Sequence, residues 1–292
     1  RLPLGKLLPW EEVIRVTDWR RFRLMAVDVD GTLAGADHQV TDRTIAALSR
    51  AERAGLRTVL VTGRFYPSVL DIWNRAGLSA PIIVCGGALI LQPPDLTVLH
   101  AFPIPNPLVE KGVRIGEELD LDVSLWTERG VWVTRPGLVG DLLTLVNGTP
   151  TGVIEPGQEA PYPFGPVPVL KVLLGGPAEQ VDRVAQEAIA RLAPLYAARS
   201  MPEFVEATLP EASKGGALQV LLDRLGIDPS EVIAMGDAET DVGMLSLAGM
   251  AVVPANAMPA AKAVADRVIG HHDQEGVAAF VEEILRLREA GD

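Results

Sequence analysis

Apolar positions along the chain fall into short runs separated by Gly and Pro, and the period of those runs alternates. Arg23–Val29 is a nearly continuous apolar run of the kind carried by a strand covered on both faces. Thr41–Ala54 follows with Ile45, Leu48 and Ala51 on one helical face. Arg57–Val61 repeats the strand signal, Tyr66–Arg75 predicts a helix, and Pro81–Cys85 is a third short apolar run. Strand, helix, strand, helix, strand implies a parallel sheet with covering helices, because parallel neighbours need a crossover. The same rhythm returns late in the chain: helix Lys214–Leu225, strand Val232–Met235, helix Thr240–Leu247, strand Met250–Val253, helix Pro259–Ala265 and a last helix over Gly276–Arg288.

Between these stretches the pattern changes. Val123–Trp126 and Val131–Thr134 flank Glu128-Arg129-Gly130, which predicts a hairpin, and helical segments over Pro107–Leu119, Leu138–Val146 and Ala178–Leu192 are interleaved with the strands. The expected fold class is therefore α/β: a Rossmann-like parallel-sheet core domain with an inserted α+β cap domain. Residues 1–87 are the expected first part of the core, with 1–21 an N-terminal extension. Residues 88–205 are the insert and 206–292 the second part of the core. Thr149–Pro168 holds six prolines, too dense for regular structure and long enough for a functional loop or a mobile connection.

Composition narrows the function classes. The 292 residues carry a formal charge of −12 and are 48% hydrophobic and 22% charged, so a folded chain is expected. An acidic surface repels phosphate backbones, which disfavours nucleic acid or an anionic membrane as a general partner. A phosphorylated ligand would need a local positive patch. The one cysteine, Cys85, forbids an intramolecular disulfide and a cysteine-based zinc site. That fits a reducing compartment, and a cytoplasmic location is expected. His271 and His272 are adjacent, a spacing that does not predict a helical metal pair, and His38 and His100 are scattered. Arg15, Arg20, Arg21 and Arg23 beside Trp10 and Trp19 read as a solvated helix face.

The candidate chemistry begins where the first strand ends, at Asp28-Val29-Asp30-Gly31-Thr32. Strand alternation would turn Asp28 and Asp30 the same way, at the carboxyl edge where open α/β sheets bind ligands. Two carboxylates that close call for a cation, and Mg2+ favours such oxygen ligands. Val61-Thr62-Gly63-Arg64 closes the second strand and offers a hydroxyl and N–H groups at a helix start. Ser213-Lys214-Gly215 opens a helix with a cation near its positive end, a position that suits lysine when an anion is bound. Met235-Gly236-Asp237-Ala238-Glu239-Thr240-Asp241 follows another strand and brings further carboxylates to the same edge. Cys85 reads as a buried thiol, and Gly86-Gly87 as a tight turn into the insert.

In this order the segments resemble the haloacid dehalogenase superfamily of phosphohydrolases. The place of the insert is similar to that of the Cof-type branch with its large α/β cap (type IIB), and Asn256-Ala257, Lys262, Ala265-Asp266 and Glu275-Gly276-Val277 match the ending of that branch. The resemblance implies a nucleophile at Asp28, a general acid/base at Asp30, a phosphoryl hydrogen-bond donor at Thr62 and a neutralising cation at Lys214. Val29, Thr62, Gly63, Arg64, Lys214 and Thr240 would surround the phosphoryl group. Mg2+ would be held by the Asp28 carboxylate, the Asp30 carbonyl, Asp237 and Asp241. The implied activity is that of a magnesium-dependent phosphatase hydrolysing a small phosphorylated metabolite, a sugar phosphate being one candidate, through an aspartyl phosphate. The alternatives are a phosphomutase or phosphotransferase using the same intermediate, or a catalytically weak ligand-binding descendant. The only implied partner is the phosphorylated substrate, for a monomer or small homo-oligomer. Arg129 and Lys171 are candidate anion contacts in the insert.

Three positions depart from the branch. Thr240, Ala238 and Gly86 stand where asparagine is usual. If Thr240 takes the place of a phosphate-binding asparagine, Thr240→Asn supplies a longer donor and should raise the phosphoryl-transfer rate modestly, about fivefold or roughly 1 kcal/mol. Steady-state kinetics beside thermal melts check this. Altered stability at constant turnover would instead assign Thr240 to helix capping.

Overall fold

The computed structural model describes residues 9–155, 162, 163 and 165–290. In chain order the elements are α1 (Trp10–Val16), β1 (Leu24–Asp28), α2 (Asp42–Arg53), β2 (Arg57–Val61), α3 (Pro67–Ala76), β3 (Ile82–Val84), β4 (Leu89–Gln92) and β5 (Thr97–Ala101). There follow α4 (Asn106–Glu118), β6 (Asp122–Thr127), β7 (Gly130–Val133), α5 (Leu138–Asn147), β8 (Gly152–Val153), β9 (Val169–Gly175), α6 (Ala178–Leu192), β10 (Tyr196–Met201) and β11 (Phe204–Thr208). The chain ends with α7 (Lys214–Leu225), β12 (Val232–Met235), α8 (Val242–Leu247), β13 (Met250–Pro254), α9 (Pro259–Val264), β14 (Arg267–Ile269) and α10 (Gly276–Ala290).

Two sheets organise the described residues. The larger runs β14-β13-β12-β1-β2-β3-β4-β5 and is parallel from β14 to β3. All five residues of β1 are buried, as its unbroken apolar run requires, with β12 on one side and β2 on the other. The chain leaves β1 toward β2 and β3 and later returns on the opposite flank as β12, β13 and β14. The carboxyl end of β1 is therefore the topological switch point, where helix connections diverge and leave a crevice. The smaller sheet, β10-β11-β9-β6-β7-β8, is antiparallel except for the parallel β7–β8 pair. The fold is thus α/β, a mostly parallel core sheet with a second, mixed sheet as cap.

Strand membership departs from expectation at both edges of the insert. β4 and β5, placed by sequence in the insert, extend the large sheet by antiparallel pairing on β3. The turn Cys85–Gly87 therefore leads back along the core sheet rather than into the cap. β11 runs to Thr208 in the small sheet, past the expected boundary at 205. The apolar runs alone could not assign these strands, because a short antiparallel strand looks alike in either sheet. The predicted hairpin is present as β6 and β7. The predicted helix over Thr240–Leu247 begins instead as a 3-10 turn over Glu239–Asp241. Of the proline-rich segment, Pro156 and Pro161 lie outside the described residues.

The N-terminal segment packs onto the core by its tryptophans while Arg15, Arg20 and Arg23 stay exposed, so the expected solvated arginines are present but are spread over α1, a 3-10 turn and the residue before β1 rather than lying on one helix. Trp19 is buried, stacks edge-on against Trp10 at 5.8 Å, and Trp10 donates Nε1–H to Glu283 Oε1 at 3.0 Å. Arg288 of α10 donates to the carbonyls of Trp19 and Phe22. No helix of the described residues is long and apolar enough to cross a membrane.

Helix α7 must pass very close to α8, and Gly215 permits it: a Cβ there would lie 2.6 Å from the Gly243 carbonyl carbon and 3.0 Å from the Met244 nitrogen. Both are backbone atoms, which cannot rotate away. Gly215→Ala should destabilise the protein by about 1–3 kcal/mol, the usual cost of overpacking, read as a lower thermal midpoint.

Candidate active site

The site is built on the ends of β1, β2 and β12 and the start of α7. After Asp28 the chain turns sharply, with the Leu33 and Ala34 N–H groups donating to the Val29 carbonyl at 2.9 and 2.8 Å. Gly31 makes the turn possible: its φ is +74°, and a Cβ would meet Asp237 Oδ2 at 2.4 Å. Only glycine tolerates both the left-handed backbone and that approach.

Lys214 is the centre of the arrangement. Ser213 caps α7 by accepting from the Gly216 N–H, so Lys214 is the first helical residue and points into the crevice. Its Nζ lies 2.6 Å from Asp28 Oδ1 and 2.6 Å from Asp241 Oδ1, and all three side chains are buried. The other oxygen of Asp241 accepts from the N–H groups of Asp237 and Ala238 at 3.0 and 2.9 Å, which holds the loop after β12 against the lysine. Asp237 accepts from the Thr32 hydroxyl at 3.1 Å. Asp28, Asp237 and Asp241 each present an oxygen within 4.8 Å of the others.

Two carboxylates share one ammonium with a third beside them, and the protonation tendencies follow. Burial, opposed by Lys214 but reinforced by the neighbouring carboxylates, pushes the Asp28 carboxyl well above the usual range. Asp237 is raised for the same leading reason, burial, with Asp241 adding to it. Burial alone would lower the Lys214 ammonium, but Asp241 and Asp28 outweigh it and hold it raised. The excess of carboxylate and the all-oxygen donor set fit a hard divalent cation.

Asp30 goes elsewhere. The strand ends at Asp28, so alternation stops, and the Asp30 carboxylate turns to a fork from Arg64, Nε at 2.8 Å and Nη2 at 2.6 Å. His38 Nδ1 lies 3.0 Å from Asp30 Oδ1. Burial would raise Asp30, but the Arg64 fork and the His38 bond outweigh it and hold the carboxyl below the usual range. Arg64, expected at the phosphoryl group, is thus engaged by Asp30 and the His38 carbonyl in this structure. The buried Thr62 accepts from the Arg64 N–H through Oγ1 at 3.2 Å, and its N–H donates to Ile83. Val29 is buried in the turn, while Thr240 is exposed in the 3-10 turn after β12.

The cap reaches the same loop. Lys171 of β9 is fully buried, donates to the Gly63 carbonyl at 3.2 Å and to Glu206 Oε2 at 2.9 Å, and sits 3.6 Å above the Trp126 ring. The Phe65 N–H donates to Asn147 Oδ1 at 2.7 Å. Arg129, the other anion candidate, stays exposed beside Glu128. Sequence reasoning assigned no site role to His38, Thr32, Glu206, Trp126 or Asn256, whose Nδ2 donates to the Gly31 carbonyl at 2.8 Å. Thr32 carried a signal, its place in the Asp28–Thr32 motif. Asn256 carried one too, within the Asn256-Ala257 match to the family branch, although not its contact with Gly31; His38, Glu206 and Trp126 carried none. Cys85 is buried, and burial pushes its thiol up to about 12, which makes it a poor nucleophile.

A model of the haloacid dehalogenase-like hydrolases matches residues 25–281. The HMP-PP phosphatase of Serratia proteamaculans is 29% identical over 274 residues, covering 91% of this chain and 96% of that protein. The pyridoxal phosphate phosphatase of Escherichia coli is 26% identical over 274 residues, covering 89% and 97% respectively. The crystal structure of a haloacid dehalogenase-like hydrolase from Bacteroides thetaiotaomicron superposes with a TM-score of 0.79 at 26% identity, over 90% of this chain and 99% of the other. The chain belongs to the haloacid dehalogenase-like hydrolases, in the Cof-type branch with its large α/β cap, and is a phosphatase of the phosphoric monoester class.

Removing the ammonium should expose what it does. Lys214→Met leaves Asp28 and Asp241 buried without a counter-charge, at a cost of about 3–5 kcal/mol in metal-free buffer. A carboxyl raised by folding favours the folded state at low pH and opposes it as pH rises through its folded value. The deficit should therefore shrink as pH is lowered and Asp28 protonates. Urea unfolding of both proteins across pH measures this, and a pH-independent deficit would contradict it.

Proposed function

We propose that this chain is a Mg2+-dependent phosphatase of small phosphorylated metabolites, sugar phosphates among them, acting through an aspartyl phosphate on Asp28. The observation that carries the reading is the buried Lys214 ammonium shared by Asp28 and Asp241 at 2.6 Å, with Asp237 in the same group. The named activities of the relatives from Serratia proteamaculans and Escherichia coli support a small phosphorylated substrate.

Asp28 is the nucleophile: a bond forms from its carboxylate to phosphorus as the bond to the leaving oxygen breaks. Lys214 holds Asp28 in line and offsets charge on the phosphoryl oxygens, with the Thr62 hydroxyl and the Gly63 N–H as further donors. Asp30 supplies a proton to the leaving oxygen and later takes one from the water that hydrolyses the intermediate. In the present geometry Arg64 keeps Asp30 in the ionised, proton-accepting form. Donation to a leaving group thus requires Arg64 to let go of Asp30, and phosphoryl oxygens are the partner that a released guanidinium prefers. Asp28, the Asp30 carbonyl, Asp237 and Asp241 would hold Mg2+, which when bound neutralises phosphoryl charge. The division into a two-part core and an inserted cap, with the substrate enclosed between them, belongs to the same proposal, as does a cytoplasmic location.

Phosphate release from an aryl phosphate and a panel of sugar and heteroaromatic phosphates tests the reading. Turnover should need Mg2+, stop in chelator, fall to background in Asp28→Asn, and drop by about 10²–10⁴-fold in Asp30→Asn. The metal requirement should steepen as pH falls, since protons compete for the raised Asp28 and Asp237 carboxyls. Near-normal turnover in Asp28→Asn would overturn the mechanism. Transfer to an added alcohol or sugar in preference to water would identify a phosphotransferase.

A further inference from the structure

The loop after β14 holds a second cluster of ligating side chains, outside the carboxylate site. His271 and His272 are neighbours in sequence, but the chain folds so that both rings face one oxygen: His271 Nδ1 and His272 Nε2 each lie 3.6 Å from Asp273 Oδ2. Each of the three residues offers a donor atom within 4.8 Å of the others. Donors around a tetrahedral Zn2+ at about 2.0–2.1 Å are roughly 3.4 Å apart, so closing the two 3.6 Å histidine–carboxylate spacings asks for shifts of only a few tenths of an ångström.

The remaining atoms of these residues are already committed in the way a metal site needs. His272 Nδ1 is 2.8 Å from the Ala34 carbonyl. A carbonyl can only accept, so Nδ1 carries the proton and Nε2 is left with its lone pair. Ligating histidines almost always hold their other N–H in such a bond. Asp273 Oδ1 accepts from the Ala36 N–H at 2.9 Å, which leaves Oδ2 to the two rings. The Asp273 N–H makes a long 3.3 Å bond to His271 Nδ1, marking that nitrogen as an acceptor whose weak partner a cation would replace. The His272 N–H is anchored on Asn256 Oδ1 at 3.1 Å.

We propose that His271, His272 and Asp273 form a binding site for a borderline divalent cation of the Zn2+ type, completed by solvent. Two imidazoles and a carboxylate select such an ion over Mg2+, which prefers oxygen and keeps its waters. A bound ion would clamp loop 270–274 to loop 34–36, which follows the Asp28–Thr32 turn, so its effect is on the stability of that junction rather than on the reacting groups.

Calorimetric titration of Zn2+ into the protein in excess Mg2+ tests the proposal. One Zn2+ should bind, raise the thermal midpoint, and be lost or weakened by about tenfold or more in His271→Ala and in His272→Ala. The Asp237→Ala protein should keep it. Co2+ used in place of Zn2+ should give a visible absorption band that His271→Ala removes. His271 is partly exposed, so its replacement leaves a folded protein even if His272→Ala does not. Absence of binding, unchanged binding in His271→Ala, or loss of binding in Asp237→Ala would each overturn the proposal.

Discussion

Burying an ammonium between two carboxylates is the constraint around which this protein is arranged. Lys214, Asp28 and Asp241 lie far apart in sequence, and each alone would be costly to bury; together they satisfy one another within 2.6 Å. Meeting that geometry requires α7 to start at the lysine, which Ser213 ensures by capping, and requires α7 to press against α8, which Gly215 allows. It also requires β1 and β12 to be adjacent, so that their carboxylates share one edge. The negative charge that the lysine leaves uncompensated sets the group apart from a simple ion pair. Carboxyls raised by burial and by one another favour a divalent cation or a proton, and the choice between them depends on pH.

The neighbouring carboxylate shows how environment separates two residues of one motif. Asp28 faces the lysine in a buried group, whereas Asp30, two residues on, is drawn out of that group by the fork of Arg64 and the ring of His38. Their protonation tendencies move in opposite directions, one raised and one lowered. Two carboxyls of opposite protonation tendency thus come from one turn without competing for the same cation.

The cap sheet is tied to this edge by specific bonds and by an apolar cluster that the two parts share. Lys171 crosses to the Gly63 carbonyl, Asn147 accepts from the Phe65 N–H, and Phe65 meets the Trp126 ring at 6.3 Å. All three act on the segment following β2 that also carries Thr62 and Arg64. Cap position and the arrangement of those groups are therefore coupled through contacts, with no hinge residue needing to be invoked.

Local pattern was enough for much of this. The periods of the apolar runs determined the parallel core, the hairpin and most helices, because burial on a strand or a helix face leaves a periodic trace in one segment. The Asp28–Thr32, Thr62–Arg64, Ser213–Lys214 and Asp237–Asp241 segments were legible as chemistry for a related reason: each sits at a strand end or a helix start, and parallel topology brings those ends to one edge. Tertiary structure alone decided which sheet received β4, β5 and β11, since a short antiparallel strand pairs by what lies beside it. It alone decided that Arg64 would hold Asp30, that Lys171 would reach Gly63, and that two adjacent histidines would converge on Asp273. Those contacts are set by side-chain direction at turns and by pairing between distant segments. Neither leaves a periodic signal, so no reading of one segment at a time could supply them.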